Sequence, residues 1–442
     1  MGSLVAVVVN QDKSSNDKDK RKKKSSPPSP QHYTFQNNEE HYNSINQSQT
    51  IGYGVYNPHS MYRVRLLLHE TIHPILAKEI RSMRKDLRMG HDDSVNQDTI
   101  LQTILEKKMS DAIQLRVAMN LPSVTTDTYR LINGEGDGLS GLAVDVFGGK
   151  VAVIMSSAAW CEIHKDVILS CLDTSLKRHP SYKDKNIDVV WKNTPSRLVQ
   201  DGFEVEHVDN ANEDVSVVAT ESSIKYLTYP FSDGQKTGFY CDQRDNRQMI
   251  AKYCENKRVL DLCCYSGGFC LNAIIHGKAA SALGVDSSED AVNAATVNAK
   301  LNGLEMSSIS FQRDDIATFM KNAIESNDEY DVVILDPPKL APSISTLTKA
   351  SRKYHSLNRD AMNLINKSRG GLLLTCTCSA AMSQQSGGQF FLNTVNSAAL
   401  SAKRQATLLN VNGAAPCHTQ SPASFPAGNY LTCALFFIGP ID

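Results

Sequence analysis

Arg258–Phe269 reads RVLDLCCYSGGF. A short apolar run stops at an acid, Asp261, and passes into a turn holding Gly267 and Gly268, after which a new apolar periodic segment begins. The pattern predicts a strand, a glycine turn and a helix start. Such a turn suits a ligand: glycines carry no Cβ to hold it off, and the first backbone N–H groups of the helix have no partners within it. Many α/β proteins share that pattern, so the segments that follow must narrow it. Ala282–Asp286, ALGVD, reads as a second strand ending in an acid, separated from the first by a helical stretch. The spacing of Asp261 and Asp286 suits a βαβ unit whose second acid accepts hydrogen bonds from ribose hydroxyls. The order GxGxxG is missing from the turn, which disfavours NAD.

Three more strands follow in the same register. After Ile309–Gln312, Asp315 is expected to meet an adenine amine. DVVIL then runs into Asp336-Pro337-Pro338-Lys339, and GLLLTCTCS ends at Cys376 and Cys378. Open α/β sheets bind ligands at the carboxyl ends of their strands. One crevice is therefore expected to gather the glycine turn, four acids and a cysteine.

GQKTGFYCDQRDNR (Gly234–Arg247), DLCCYSGGF, DPPK and TCTCSAAM, in this order, resemble the S-adenosylmethionine-dependent RNA cytosine-C5 methyltransferases of the bacterial large-subunit ribosomal RNA methyltransferase I type. YRLINGEGDGLSGLAVD (Tyr129–Asp145) resembles that family's middle domain, and Gly52–Leu68 the last strands of its small RNA-binding PUA domain, whose earlier strands are not recognisable. The resemblance implies a class I Rossmann-like α/β methyltransferase domain, preceded by a small α+β domain and a partial or divergent PUA-like segment. It implies S-adenosylmethionine as cofactor, held by Asp261, Tyr265, Gly267, Gly268, Asp286, Asp315, Asp336, Gln235 and Arg244. It also implies RNA as partner, ribosomal RNA first, met by Arg130, Lys236, Pro337, Pro338 and Lys339. Cys378 and Asp336 are the expected catalytic pair: the thiolate adds to carbon 6 of cytosine so that carbon 5 becomes nucleophilic, and the acid stabilises charge on the ring. Strand alternation puts Cys376 on the same face, where it could line the pocket or act as a second thiol. Cys263, Cys264 and Cys270 read as packing. Lys339 and Leu340 follow the prolines where amine methyltransferases usually place an aromatic residue, which disfavours an exocyclic amine as target.

With 442 residues, 41% apolar and 21% charged, the chain suits two or three globular domains. A net charge of −1 gives no support to a uniformly basic nucleic-acid binder, so RNA contact must come from a patch. Eleven cysteines without a CxxC pair argue against a zinc ribbon and suggest reduced thiols; no metal is expected. No apolar run approaches the ~20 residues of a membrane span. A cytoplasmic location is the expectation, with nucleus or organelle open; the oligomeric state, a homodimer included, is not set by the sequence.

Residues 1–50, rich in Ser, Asn, Gln and Lys, are expected to form an unfolded tail. Within it Lys18–Lys24 carries six basic residues, a targeting or RNA-touching segment or else a solvated charge run. Residues 51–122 hold the PUA-like strands and a connector helix, Thr99–Met119, whose Leu101, Leu105, Met109, Ala112, Ile113 and Val117 form one apolar face and whose Lys107, Lys108 and Arg116 face solvent. Residues 123–226 form the middle domain, in which GEGDGLSG is either a polar turn facing RNA or a hairpin needing positive φ. The catalytic domain takes residues 227–442. In it, Asp242 reads as a helix cap, Arg244 as too close in sequence to pair with Asp242 or Asp245, and His418 as an exposed loop histidine.

Overall fold

A computed structural model describes residues 2–10, 31–34, 48–89, 96–205, 215–232 and 239–441. Lys18–Lys24, Gln235 and Lys236 lie outside the described residues. The chain divides into two compact units: residues 1–115, 132–144 and 154–209, and residues 116–131, 145–153 and 210–442.

The first unit opens with strands where an unfolded tail was expected. β1 (Ser3–Asn10), β2 (Gln31–Thr34), β3 (Ser48–Tyr56) and β4 (Val64–His69) form an antiparallel sheet in the order β2-β1-β3-β4. Leu4, Val5, Ala6 and Val7 are buried, as are Tyr53, Val55, Leu67 and Leu68. The run SLVAVVV is long enough for one buried strand, but in a 50-residue average its apolar content disappears behind the polar majority. The connector helix spans Gln97–Ala118, with Leu101, Leu105, Met109, Ala112 and Ile113 buried. Its last turn departs from the expected faces: Val117 is 46% exposed, whereas Arg116 is fully buried.

In the middle region β5 (Tyr129–Asn133), β6 (Leu142–Phe147), β7 (Val151–Ser156) and β8 (Asp188–Asn193) pair in that order. GEGDGLSG is a turn that needs its glycines, with φ of +48° at Gly134, +71° at Gly138 and +90° at Gly141. Its polar groups serve one another: the Asn133 N–H donates to Asp137 and the Ser140 hydroxyl to Glu135.

The long C-terminal stretch of the second unit, residues 210–442, begins before residue 227. β9 (Val217–Glu221) and β10 (Ile224–Thr228) form a hairpin whose backbone accepts and donates bonds with Asn298 and Asn302 of the helix Glu289–Leu301. The boundary expected at 227 falls inside this hairpin. Beyond it come β11 (Arg258–Leu262), β12 (Ser281–Asp286), β13 (Ile309–Arg313), β14 (Val332–Leu335), β15 (Gly371–Thr377), β16 (Ala406–Asn412) and β17 (Thr432–Ile438). They form one sheet in the order β13-β12-β11-β14-β15-β17-β16. β11 to β15 run parallel, and β17 enters antiparallel between β15 and β16. β11 and β14 lie at the centre and read as continuous apolar runs because helices cover both faces. The strand order reverses between β11 and β14, which is where such sheets open a crevice at the strands' C-terminal ends.

Candidate active site

β11 brings Asp261 to the floor of that crevice. Its side chain is fully buried; Oδ2 accepts the Cys270 thiol at 3.6 Å and Oδ1 has no hydrogen-bond partner. Burial, reinforced by the charge of Asp336, pushes its pKa up to about 7. The turn that follows is tightly wound. Cys263 and Tyr265 take positive φ, and Gly267, at φ +79°, caps the helix Gly268–Ile275. A Cβ on Gly267 would stand 2.9 Å from the Phe311 ring, and one on Gly268 would stand 2.6 Å from Arg247 Nε. The close approach of side chains from two other elements therefore requires both glycines.

At the end of β12, Asp286 accepts the Tyr265 N–H at 3.0 Å through Oδ2 and the Ser288 N–H at 2.9 Å through Oδ1. A carboxylate has about four lone-pair positions, so these bonds orient it and still leave acceptor capacity for a ribose. Asp315 is exposed and caps the helix Ile316–Glu325, accepting from the Ala317 and Thr318 N–H groups. Asp336 ends β14 and accepts the Gln243 side-chain amide at 3.0 Å; Pro337 is buried, Pro338 and Lys339 exposed. Burial first, then the charges of Asp286, Asp336, Asp261 and Asp315 in turn, raise the pKa of the Cys263 thiol. Cys263 is half-buried.

Cys378 follows β15, the neighbour of β14, and is half-buried. Cys378 and Asp336 both act on Tyr240 and on Tyr354, whose hydroxyl pKa values are raised mainly by burial and further by those two groups. Cys376, the possible second thiol, meets a cysteine of the next strand. It is fully buried, its sulfur 2.9 Å from that of Cys433 on β17, its register partner.

Several expected roles change. Arg244 is buried and does pair with Asp245, Nε to Oδ1 at 3.0 Å; its Nη1 reaches the Cys417 sulfur at 3.6 Å. Arg247, which the sequence reading passed over, is the arginine beside the glycine turn. It donates to Glu221 at 2.7 Å and to the Tyr240 carbonyl at 2.9 Å. Asp242 is no helix cap; it accepts the Tyr430 hydroxyl at 2.7 Å. Arg130 forms a two-pronged ion pair with Asp145, 2.5 and 3.0 Å, and burial against it is outweighed by Asp145, so its charge is answered inside the fold. Arg116, expected in solvent, donates to the carbonyls of Arg130 and Cys417. His418 is buried, with Nδ1 3.6 Å from the Cys417 sulfur. A separate cavity of about 200 Å³ lies at the opposite, N-terminal ends of the strands, beside Arg258, Ser281, Ser308 and Tyr330.

A family model for S-adenosylmethionine-dependent methyltransferases matches residues 216–412. Ribosomal RNA large subunit methyltransferase I of Aeromonas hydrophila is 38% identical over 304 residues, 69% of this chain and 72% of that one. Its Escherichia coli counterpart is 33% identical, covering 69% and 73%. The chain belongs to the large-subunit ribosomal RNA methyltransferase I family. It is an S-adenosylmethionine-dependent methyltransferase, and the fold agrees. A Streptococcus mutans protein of the SAM-dependent methyltransferase kind superposes with a TM-score of 0.65 at 20% identity over 88% of each chain. SMU.776, solved with SAH, gives 0.63 at 21% over 76% of this chain and 81% of that one.

The methyltransferase's own residues fit the cofactor. The orphaned, buried Asp261 Oδ1 lies below a glycine turn, with the oriented Asp286 carboxylate at the next strand end. These are the acceptors and the open backbone that a nucleoside with an amino-acid tail requires. Among the described residues no group of three His, Cys, Asp or Glu could hold a metal, and no helix is long and apolar enough to cross a membrane.

Proposed function

We propose that the enzyme methylates carbon 5 of a cytosine in RNA, ribosomal RNA first, through an intermediate linked to Cys378. The reading is carried by one observation: a half-buried thiol and a carboxyl, Cys378 and Asp336, at the C-terminal ends of neighbouring parallel strands beside the cofactor turn. Of the eleven cysteines only Cys263 and Cys378 are not fully buried, and partial burial together with the nearby acids opposes the ionisation of Cys263. The relatives' names supply the RNA class.

Carbon 5 of cytosine is a weak nucleophile. The Cys378 thiolate forms a bond to carbon 6, and the electrons of the 5,6 double bond move toward carbon 5 and the ring nitrogen 3 side. Asp336 holds a proton at nitrogen 3 and so stabilises the charge that builds there. S-adenosylmethionine, when bound, supplies the electrophilic methyl group that carbon 5 takes. Loss of the carbon-5 proton to water then restores the double bond as the sulfur–carbon 6 bond breaks, returning the thiolate. Pro337 and Pro338 stiffen the loop after Asp336, and the target base must be unstacked to reach it.

Bisulfite sequencing of total RNA from cells with and without the gene, and with Cys378→Ala restored, tests the reading. One protected cytosine should disappear without the gene and stay unprotected with the variant. Methylation that survives Cys378→Ala, or no change at any cytosine, overturns it.

A further inference from the structure

The reaction just described makes no use of Gln243, although this residue touches its acid. Gln243 is 4% exposed, and its Nε2 donates to Asp336 Oδ2 at 3.0 Å. Its Oε1 accepts from Asn246 Nδ2 at 2.7 Å, and the same Asn246 amide, fully buried, donates to the Gly413 carbonyl at 3.1 Å. The second bond decides the first. With an N–H donor against its oxygen, the Gln243 amide can only present its NH2 to Asp336. Gly413 opens the loop between β16 and β17, which is pinned again where the Ala415 N–H donates to the Asp242 carbonyl at 2.8 Å and the Tyr430 hydroxyl to the Asp242 side chain.

We propose that Gln243 is a positioning residue: it holds the Asp336 carboxyl in one orientation toward the target base, and Asn246 ties that orientation to the loop beginning at Gly413. The inference rests on the carbon-5 reading. Its physical basis is the short side chain of Asp336, whose carboxyl turns about a single soft torsion; a donor fixed on one oxygen stops that rotation. The donor also favours the ionised form. The titratable groups on which Asp336 acts are Asp261 on β11, Cys263 in the glycine turn, Cys376 on β15, Tyr240 before the 241–251 helical segment and Tyr354 on the helix Leu347–Asn363. Each is an acid, thiol or phenol.

The test uses the full chain with Gln243→Met, Gln243→Glu and Asn246→Ala. Initial rates of methyl transfer from S-adenosylmethionine to large-subunit ribosomal RNA lacking the modification are followed from acidic to alkaline pH, with cofactor affinity measured by calorimetry. For Gln243→Met we expect kcat to fall about tenfold, as the carboxyl loses its orientation, and its alkaline limb, on which Asp336 loses the proton it holds at nitrogen 3, to move to higher pH by about one unit. Gln243→Glu should move it further, because two carboxyls in hydrogen-bond contact cannot both ionise. Asn246→Ala, which leaves the donor but frees it to turn, should give a smaller displacement in the same direction. KM for RNA and the cofactor affinity should stay within about twofold of wild type, which a cofactor-binding role would not allow. An alkaline limb that stays in place in variants that bind the cofactor normally overturns the inference, whatever their melting temperature; if the Gln243 variants do not fold, the Asn246→Ala limb decides. Analysis of the wild-type product keeps the two claims apart: a methylated nucleoside other than 5-methylcytidine overturns the carbon-5 reading, whereas 5-methylcytidine with an unmoved limb overturns the role of Gln243 alone.

Discussion

Arg247 Nη1 donates to Glu221 Oε1 at 2.7 Å, and the two side chains are only 6% and 1% exposed. The pair joins the β9–β10 hairpin to the helix Arg244–Ala251, and the guanidinium continues past it to the Tyr240 carbonyl, the Phe239 ring and the space beside Gly268. A buried ion pair is a poor source of net stability, because both ions lose their water, but removing one partner strands the other. Glu221→Gln and Arg247→Met should each cost about 3 to 5 kcal/mol. The double variant should cost less than the sum, and chemical denaturation of the four proteins measures the difference.

Why that pair was missed shows what sequence can carry. Strands β11, β12, β14 and β15 announce themselves as apolar runs, and their terminal residues follow at once, so the strand-end positions of Asp261, Asp286, Asp336 and Cys378 are legible in the sequence. Glu221 and Arg247 are 26 residues apart on different elements, and no periodicity marks their meeting. The same holds for Arg116 and Arg130, whose charges pointed to solvent or RNA but are answered by Cys417, Asp145 and backbone carbonyls. Long cationic side chains reach partners that spacing along the chain cannot predict. β1 failed for the opposite reason: its signal is local and strong, but it was averaged into polar neighbours. β16 was missed because an edge strand with exposed Thr407, Leu408, Leu409 and Val411 shows no alternation.

Cys376 and Cys378 separate cleanly on burial. Cys376→Ala should keep methylation near the wild-type rate and lower stability by about 1 to 2 kcal/mol through lost packing against Cys433. Cys378→Ala should do the reverse, abolishing product with little change in melting temperature. A rate assay beside a thermal melt checks both; loss of activity in Cys376→Ala at unchanged stability would return it to the chemistry.

Gly267 combines φ of +79° with the Phe311 ring 2.9 Å from where a Cβ would lie. Gly267→Ala should therefore destabilise the fold by more than about 1 kcal/mol and weaken S-adenosylmethionine binding. Gly303 provides the control. It has φ of +69° but no atom within 4 Å of a Cβ position, so Gly303→Ala should show only the backbone cost and leave cofactor affinity unchanged. Calorimetric titration of both variants separates the two terms.

Asp261 gives the protein a pH dependence of unusual sign for a carboxyl. Its folded pKa, about 7, lies above the ordinary value of 3.8, so between the two the folded state holds a proton that the unfolded state has released. Stability contributed by that proton is full below the ordinary value and is lost as pH rises towards 7, the opposite of a salt-bridged aspartate. Asp261→Asn keeps the shape and removes the titration. Without cofactor, the melting temperature of the variant relative to wild type should climb as pH rises from about 4 to 7 and then level off. A constant difference across that range would mean that the carboxylate, buried beside Cys270 with Oδ1 unpartnered, stays ionised in the fold, and would shift the cause of its orphaned oxygen to a missing donor rather than a retained proton.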